Sequence, residues 1–292
     1  MGIPKEVKIR EVGPREGFQI LPFVVDTDKK LELLGGLEKT GVSYIEACSF
    51  VRADLVPQHA DAEEVVKRLK TKGLFGALCL NQFGYKKARN FSILVHEPWI
   101  HTSVCEEFLI KNSGKDFNKE KETFPDWREL FKEFPGVKLM VSMSFGSPKL
   151  GTINPDDAFV RIKDVASHFK VEEICLADTI GIGTPNQVSE LVELCKSQFD
   201  KVSLHLHDTN GVGIANAYAG LLCGVDTFEA SIGGLGGCPF TKGASGNIAT
   251  EELLFLLEGL GIKTGVSLNA YRDLLPLVAS ITKKDLKSSF YR

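Results

Sequence analysis

His205 and His207 lie two residues apart at the end of Lys201-Val202-Ser203-Leu204-His205-Leu206-His207, a run in which apolar residues alternate with others. Alternation of this kind reads as a β-strand, where residues i and i+2 point to one face. Two imidazoles then project together from one strand end, and neutral histidine is the commonest nitrogen ligand of metals. The spacing alone equally permits two unrelated histidines, one in the core and one on a rim, because an isolated H-x-H pair is a weak signal. Gly211 follows, so the strand is expected to stop there and a helix to start. Glu16 offers an anionic oxygen and Asn247 a neutral one. Two nitrogens with two oxygens suit an octahedral divalent ion such as Mg²⁺ or Mn²⁺, with substrate or water in the remaining positions. Zn²⁺ is compatible with the ligand types but fits the set less well.

The elements that must position these residues alternate along the chain. β-rich runs fall at 7–12, 44–49, 74–80, 93–101, 137–144, 173–177, 202–207 and 227–231. Helical patterns fall between them at 26–39, 61–69, 118–134, 156–169, 185–199, 212–223 and 247–260, with a weaker one at 82–90. This pattern predicts an α/β fold, a (β/α)8 TIM barrel. The tail 267–292 reads as an extra C-terminal helix or two outside the barrel. A doubly wound open sheet is the rival, but it calls for a glycine-rich phosphate turn after the first strand. Gly13-Pro14-Arg15-Glu16-Gly17 stands there with the wrong spacing. Barrel active sites lie at the C-terminal strand ends. Those ends carry Arg15 and Glu16, Glu46, Ser144, Asp178, then His205 and His207, and finally the run Gly233-Gly234-Leu235-Gly236-Gly237-Cys238 with Asn247 beyond it. Structural salt bridges explain such residues singly and the whole ring less well. The glycine-rich loop reads as a cover for a bound ligand or as a plain connector.

Composition narrows the function classes. The chain has 292 residues, 43% hydrophobic and 25% charged, enough for a large core. One catalytic domain over 1–292 is expected, with 267–292 as its helical extension. The net charge of -3 comes without a basic stripe, which argues against nucleic acid and anionic membrane as partners. No apolar run approaches the roughly 20 residues of a membrane span. Met1-Gly2-Ile3-Pro4-Lys5-Glu6 has no apolar signal region, and Glu6 stands where a myristoylation site would have Ser or Thr, so a cytoplasmic protein is expected. Seven cysteines, an odd number without C-x-x-C, argue against a disulfide framework or a cysteine zinc cluster. Most are expected to be buried small apolar residues. Cys238, in the glycine-rich loop, is the exception.

Several ordered segments carry a resemblance. They include Glu11-Val12-Gly13-Pro14-Arg15, Ile45-Glu46-Ala47-Cys48-Ser49-Phe50-Val51, Val56-Pro57-Gln58, Ala177-Asp178-Thr179-Ile180-Gly181 and His205-Leu206-His207-Asp208-Thr209. Gly233 to Phe240, Lys242 to Asn247 and Leu257 to Val266 are the most specific. Together they resemble the 3-hydroxy-3-methylglutaryl-CoA lyase family, within the wider metal-dependent lyase and Claisen-synthase barrels. The resemblance covers nearly the whole chain. It implies a divalent cation held by Glu16, His205, His207 and Asn247. It implies Arg15 stabilising an enolate oxygen, with Glu46, Asp178 and His205 as catalytic partners and Cys238 on a mobile catalytic loop. Arg15, Gln19 and Ser144 are the expected substrate-binding residues. The implied reaction is divalent-metal-dependent retro-Claisen cleavage of a 3-hydroxy-3-methylglutaryl-CoA-like substrate to an acyl-CoA, acetyl-CoA, and a keto acid, acetoacetate, in a homodimer.

The chain also departs from that family. Arg15-Glu16 replaces an Arg-Asp pair, which moves the carboxylate by about one bond length while keeping the ligand type. Gln19-Ile20-Leu21-Pro22-Phe23 is apolar where the family is polar, and Ala47-Cys48 replaces two small hydroxyl residues. Ser147 stands in place of a cysteine, and His96, Trp99 and His101 make the fourth strand region unusual. These departures imply a related reaction on a different acyl-CoA. The alternatives are a Claisen-type synthase joining acetyl-CoA to a 2-oxo acid, and a non-catalytic CoA- or metal-binding relative. The 292-residue length and Cys238 speak against the first, and Arg15, His205 and Cys238 against the second.

Overall fold

The computed structural model describes residues 2–237, 246–283 and 285–291. The first 96 residues form β1 (Lys8–Glu11), α1 (Gly13–Gln19), α2 (Thr27–Glu38), β2 (Tyr44–Ser49), α3 (Ala62–Arg68), β3 (Phe75–Leu78) and α4 (Gln82–Ala88). Then come β4 (Trp99–Ser103), α5 (Glu106–Ser113), α6 (Phe117–Glu122), α7 (Phe124–Leu130), β5 (Val137–Ser142), β6 (Gly146–Ser147), β7 (Gly151–Thr152), α8 (Pro155–Ala166), β8 (Val171–Asp178), α9 (Pro185–Lys196), β9 (Val202–Leu206) and α10 (Gly213–Leu222). The chain closes with β10 (Thr227–Ala230), α11 (Thr250–Gly259) and α12 (Leu268–Thr282).

Two compact units emerge. The first comprises Lys5–His96, Phe228–Gly237 and 246–291. Its strands run in the order β3-β2-β1-β10. β1 pairs parallel to β2, with Glu11 opposite Ile45. β2 pairs parallel to β3, but the register slips between Glu46 and Cys48. That irregularity falls beside a charged residue inside an otherwise apolar strand, where bulges commonly re-aim a side chain. Ile9, Ile45, Phe75 and Phe228 are fully buried, as strands covered on both faces require. Asp26 caps α2 by accepting from Asp28 N at 2.9 Å. α2 lies against α12 so closely that a Cβ on Gly36 would stand 2.5 Å from Leu274.

The second unit is centred on Glu97–Thr227, with strands in the order β9-β8-β5-β4. All three pairings are parallel, with Leu139 opposite Ile174 and Ala177 opposite His205. α8 and α9 each begin with proline after a polar cap, Asn154 and Thr184. At Thr184 the cap is reciprocal with Gln187. β6 and β7 form a small antiparallel hairpin.

Seven of the eight expected strands stand within two residues of their predicted ends, and the fourth does not. It runs Trp99–Ser103 rather than 93–101. Pro98 precedes it and has no N–H to give a ladder. The helix expected over 118–134 is broken into α6 and α7 at Thr123, with Pro125 in the first turn of α7. A proline in mid-helix would lose a hydrogen bond and clash with the preceding turn. α5 was not expected; Gly114, at φ 73°, ends it. The segment after β1, read as a turn, is helical from Gly13. The tail forms one helix, ending at left-handed Lys283. Among the described residues, no helix is long and apolar enough to cross a membrane.

Candidate active site

In the second unit the histidine pair stands as the alternation predicts. His205 lies in β9 and His207 follows it, both buried, with their Nε2 atoms 3.1 Å apart. A hydrogen bond at that separation needs one of the two nitrogens as its acceptor. Such a pair is suited to share one cation. Asp178 ends β8, and its carboxylate accepts from Ile182 N at 3.1 Å and Gly183 N at 3.0 Å. Burial raises its pKa, while those amides and His207 oppose the shift. The turn leaves no room for a side chain at Gly183, where a Cβ would stand 3.0 Å from Asp178 Oδ2. Ser144 is buried at the end of the β5 segment and donates to Val141 O at 2.7 Å. Met143 before it takes φ 57°, a left-handed value costly for any residue with a Cβ, and Thr179 Oγ1 accepts its N–H at 2.8 Å.

In the first unit α1 carries Arg15, Glu16 and Gln19. Arg15 Nε donates to Glu46 Oε2 at 2.5 Å, and Arg15 Nη2 lies 3.3 Å from Glu16 Oε2. Burial opposes the charge on Arg15, but Glu46, Glu16 and Glu229 outweigh it and raise its pKa above the ordinary value. Burial likewise raises the carboxyl of Glu46, with Arg15 pulling it down and Glu229 pushing it up. His59 Nε2 lies 2.8 Å from Arg15 O. A carbonyl only accepts, so that nitrogen carries the proton. Burial pushes His59 down to about 4, leaving a neutral donor that braces α1. The neighbouring Gln58 donates its Nε2 to Leu21 O at 2.6 Å. Gln19 closes α1 half-buried.

Asn247 precedes α11. Its Nδ2 donates to Leu235 O at 2.9 Å, while its Oδ1 is buried with no hydrogen-bond partner among the described residues. An orphaned amide oxygen costs roughly 1–3 kcal/mol unless something accepts it as a ligand. Gly236, at φ 113°, explains how close this corner is. A Cβ there would stand 2.4 Å from Asn247 Nδ2 and 3.2 Å from Glu16 Oε1. Glu16 and Asn247 therefore face one glycine. Cys238 lies outside the described residues. Cys48, Cys79, Cys105, Cys175, Cys195 and Cys223 are free and buried, as expected. Burial pushes Cys79 and Cys195 up to about 12, so neither serves as a thiolate near neutrality.

Three buried groups of this corner received no role in the sequence analysis: Glu229, His59 and Glu11. Glu229 places a carboxylate between Phe228 and Ala230, which is the signal that could have flagged it, whereas Glu11 stands in the charged strand Lys8-Ile9-Arg10-Glu11 and is not marked out there. His59 offers no comparable signal.

The comparisons with known proteins bear on these geometries. The HMGL-like family model matches residues 6–278. A hydroxymethylglutaryl-CoA lyase of Pseudomonas mevalonii is 38% identical over 269 residues, covering 90% of this chain and 88% of that one. The crystal structure of the Bacillus subtilis HMG-CoA lyase superposes with a TM-score of 0.90 at 33% identity, over 99% of this chain and 98% of that one. An Acinetobacter baumannii HMG-CoA lyase, solved with coenzyme A and 3-methylmalate, gives 0.89 at 32% identity, over 98% and 94%. The chain belongs to the HMGL-like family and has the TIM-barrel fold of these lyases. It is a carbon–carbon lyase.

Proposed function

We propose that this lyase cleaves a 3-hydroxy-3-methylglutaryl-CoA-like thioester to acetyl-CoA and a keto acid, acetoacetate for the parent substrate. The observation that carries the reading is Arg15, a guanidinium whose side chain is only 11% exposed and which Glu46 fixes at 2.5 Å. Cleavage begins with removal of the proton of the tertiary hydroxyl. The C–C bond then breaks, a keto group forms, and the bonding pair passes to the acyl-CoA as an enolate. The developing enolate oxygen is the charge that needs help, and a preorganised cation supplies it without reorganisation. Arg15 takes that role. Glu46 holds the guanidinium in place, Asp178 and His205 handle protons near the hydroxyl, and Cys238 returns a proton to the enolate carbon. Gln19 and Ser144 line the substrate.

The donor set fits a divalent ion, Mg²⁺ or Mn²⁺. Glu16, His205 and His207 offer one oxygen and two nitrogens, and the orphaned Oδ1 of Asn247 a fourth donor. When bound, such an ion supplies Lewis-acid charge to the substrate oxygens. We place the protein in the cytosol, as a homodimer whose catalytic domain spans the chain. The test is a panel assay with Mg²⁺ or Mn²⁺ on 3-hydroxy-3-methylglutaryl-CoA, citramalyl-CoA and longer homologues. Release of acetyl-CoA or its acyl analogue is expected, and no cleavage of any member would sink the reading.

A further inference from the structure

Glu11 is fully buried, and its two oxygens reach three separate pieces of chain. Oε1 accepts from Gly13 N at 2.7 Å and from Ile232 N at 3.0 Å. Oε2 accepts from Thr250 Oγ1 at 2.7 Å. Gly13 opens α1, which carries Arg15 and Glu16. Ile232 opens the turn that runs to Gly236, the glycine wedged against Glu16 and Asn247. Thr250 opens α11, three residues after Asn247. Gly13 shows how tight the junction is, since a Cβ there would stand 2.6 Å from Glu11 Oε1.

We infer that Glu11 is a positioning residue, a strut that sets the Arg15–Glu16 helix in register with the Asn247 segment. The inference rests on the reading above, in which those residues bind the cation and the enolate. A strut must offer acceptors at fixed places, and charge is secondary to that. Glutamine keeps one carbonyl oxygen for Gly13 N and Ile232 N, and Thr250 can rotate its hydroxyl to accept from the new amide. Alanine removes all three bonds and leaves two buried amides without an acceptor.

The experiment titrates Mn²⁺ into the purified full-length protein, calorimetrically or by electron paramagnetic resonance, and measures kcat and KM alongside. Glu11→Ala should weaken Mn²⁺ binding and lower kcat each by about 10–100-fold, the range typical of groups that orient ligands, with KM nearly unchanged. Glu11→Gln should keep both within about threefold. Folded Glu11→Ala with wild-type Mn²⁺ affinity and kcat overturns the inference. So does Glu11→Gln losing as much as Glu11→Ala, because charge would then matter and not the strut. If Glu11→Ala does not fold, Thr250→Val cuts only the Oε2 arm and should weaken Mn²⁺ binding severalfold; unchanged affinity there is also an overturning result. Because the titration needs no turnover, wild type that binds Mn²⁺ but cleaves no thioester would sink the substrate reading and leave the Glu11 comparison standing. Wild type that binds no Mn²⁺ overturns both.

Discussion

The two units bring opposite chemistry to their strand ends. The unit centred on Glu97–Thr227 contributes an imidazole corner: His205 and His207 with their Nε2 atoms 3.1 Å apart, and an Asp178 carboxylate occupied by backbone amides. The unit containing α1 is crowded with acidic groups. Glu11, Glu16, Glu46, Glu229 and Glu251 are all buried there, and Arg15 answers three of them. Rings on a strand need little beyond the strand to aim them. A guanidinium among carboxylates needs a scaffold, and the first unit devotes buried acids, a neutral histidine and two crowded glycines to it. Ligand placement is thus a property of strand periodicity in one unit and of a hydrogen-bonded network in the other.

The sharpest way to break this comparison is at the histidines. His205→Ala and His207→Ala should each weaken Mn²⁺ binding by more than about 100-fold and abolish measurable turnover, with the fold kept, since each deletes a proposed ligand outright. Calorimetric titration reads the first effect directly; wild-type affinity in either variant would return that histidine to the core. Arg15→Gln should act on the other term. Removing one preorganised donor to a developing oxyanion costs about 10²–10³ in kcat, and metal affinity should stay within a few-fold. Loss of metal binding instead would mean that Arg15 serves Glu16 and not the enolate.

What was legible in the sequence follows the same division. Period-two alternation announced β9 and placed both imidazoles on one face, because strand geometry is local. The Arg15–Glu46 pair was legible only as two residues at strand ends, since the register slip beside Glu46 leaves no mark in composition. Glu11 was not legible as a strut, because its partners Ile232 and Thr250 lie 221 and 239 residues away and one of them is a backbone amide. The broken helix at Thr123 and the helical turn at Gly13 were missed for another reason. Both are decided by a single proline, at Pro125 and Pro14, which starts a helix as readily as it ends one.

Acid–base linkage sharpens the comparison at a smaller scale. Burial raises Glu11 and Glu251 from 4.5 to about 7, against the amide and hydroxyl donors that lower them. Between those values the folded state holds protons that the unfolded chain has released. The extra stability is therefore fully present below about 4.5 and is lost as pH rises through about 7, by roughly 3 kcal/mol per carboxyl. Denaturant midpoints measured at pH 5 and pH 7.5 should fall with rising pH in wild type, and Glu11→Gln should flatten part of that slope. A slope unchanged in Glu11→Gln would show that Glu11 is ionised in the fold throughout.

The smallest expected effect belongs to Glu16→Asp, and it is the most discriminating. The longer side chain sits in a corner shaped by Gly236, where an added Cβ would stand 3.2 Å from Glu16 Oε1. Arg15 Nη2 lies 3.3 Å from the other oxygen. If that corner has been reshaped around glutamate, aspartate withdraws the carboxylate by about one bond length from both Arg15 and the cation, and Mn²⁺ affinity should drop by about tenfold. Recovery with Gly236 intact would instead mark Glu16 as an ill-fitting ligand in an aspartate-shaped site. Glu16→Gln separates charge from reach: it keeps the length, and a loss larger than that of Glu16→Asp would show that the anion, not its position, holds the ion.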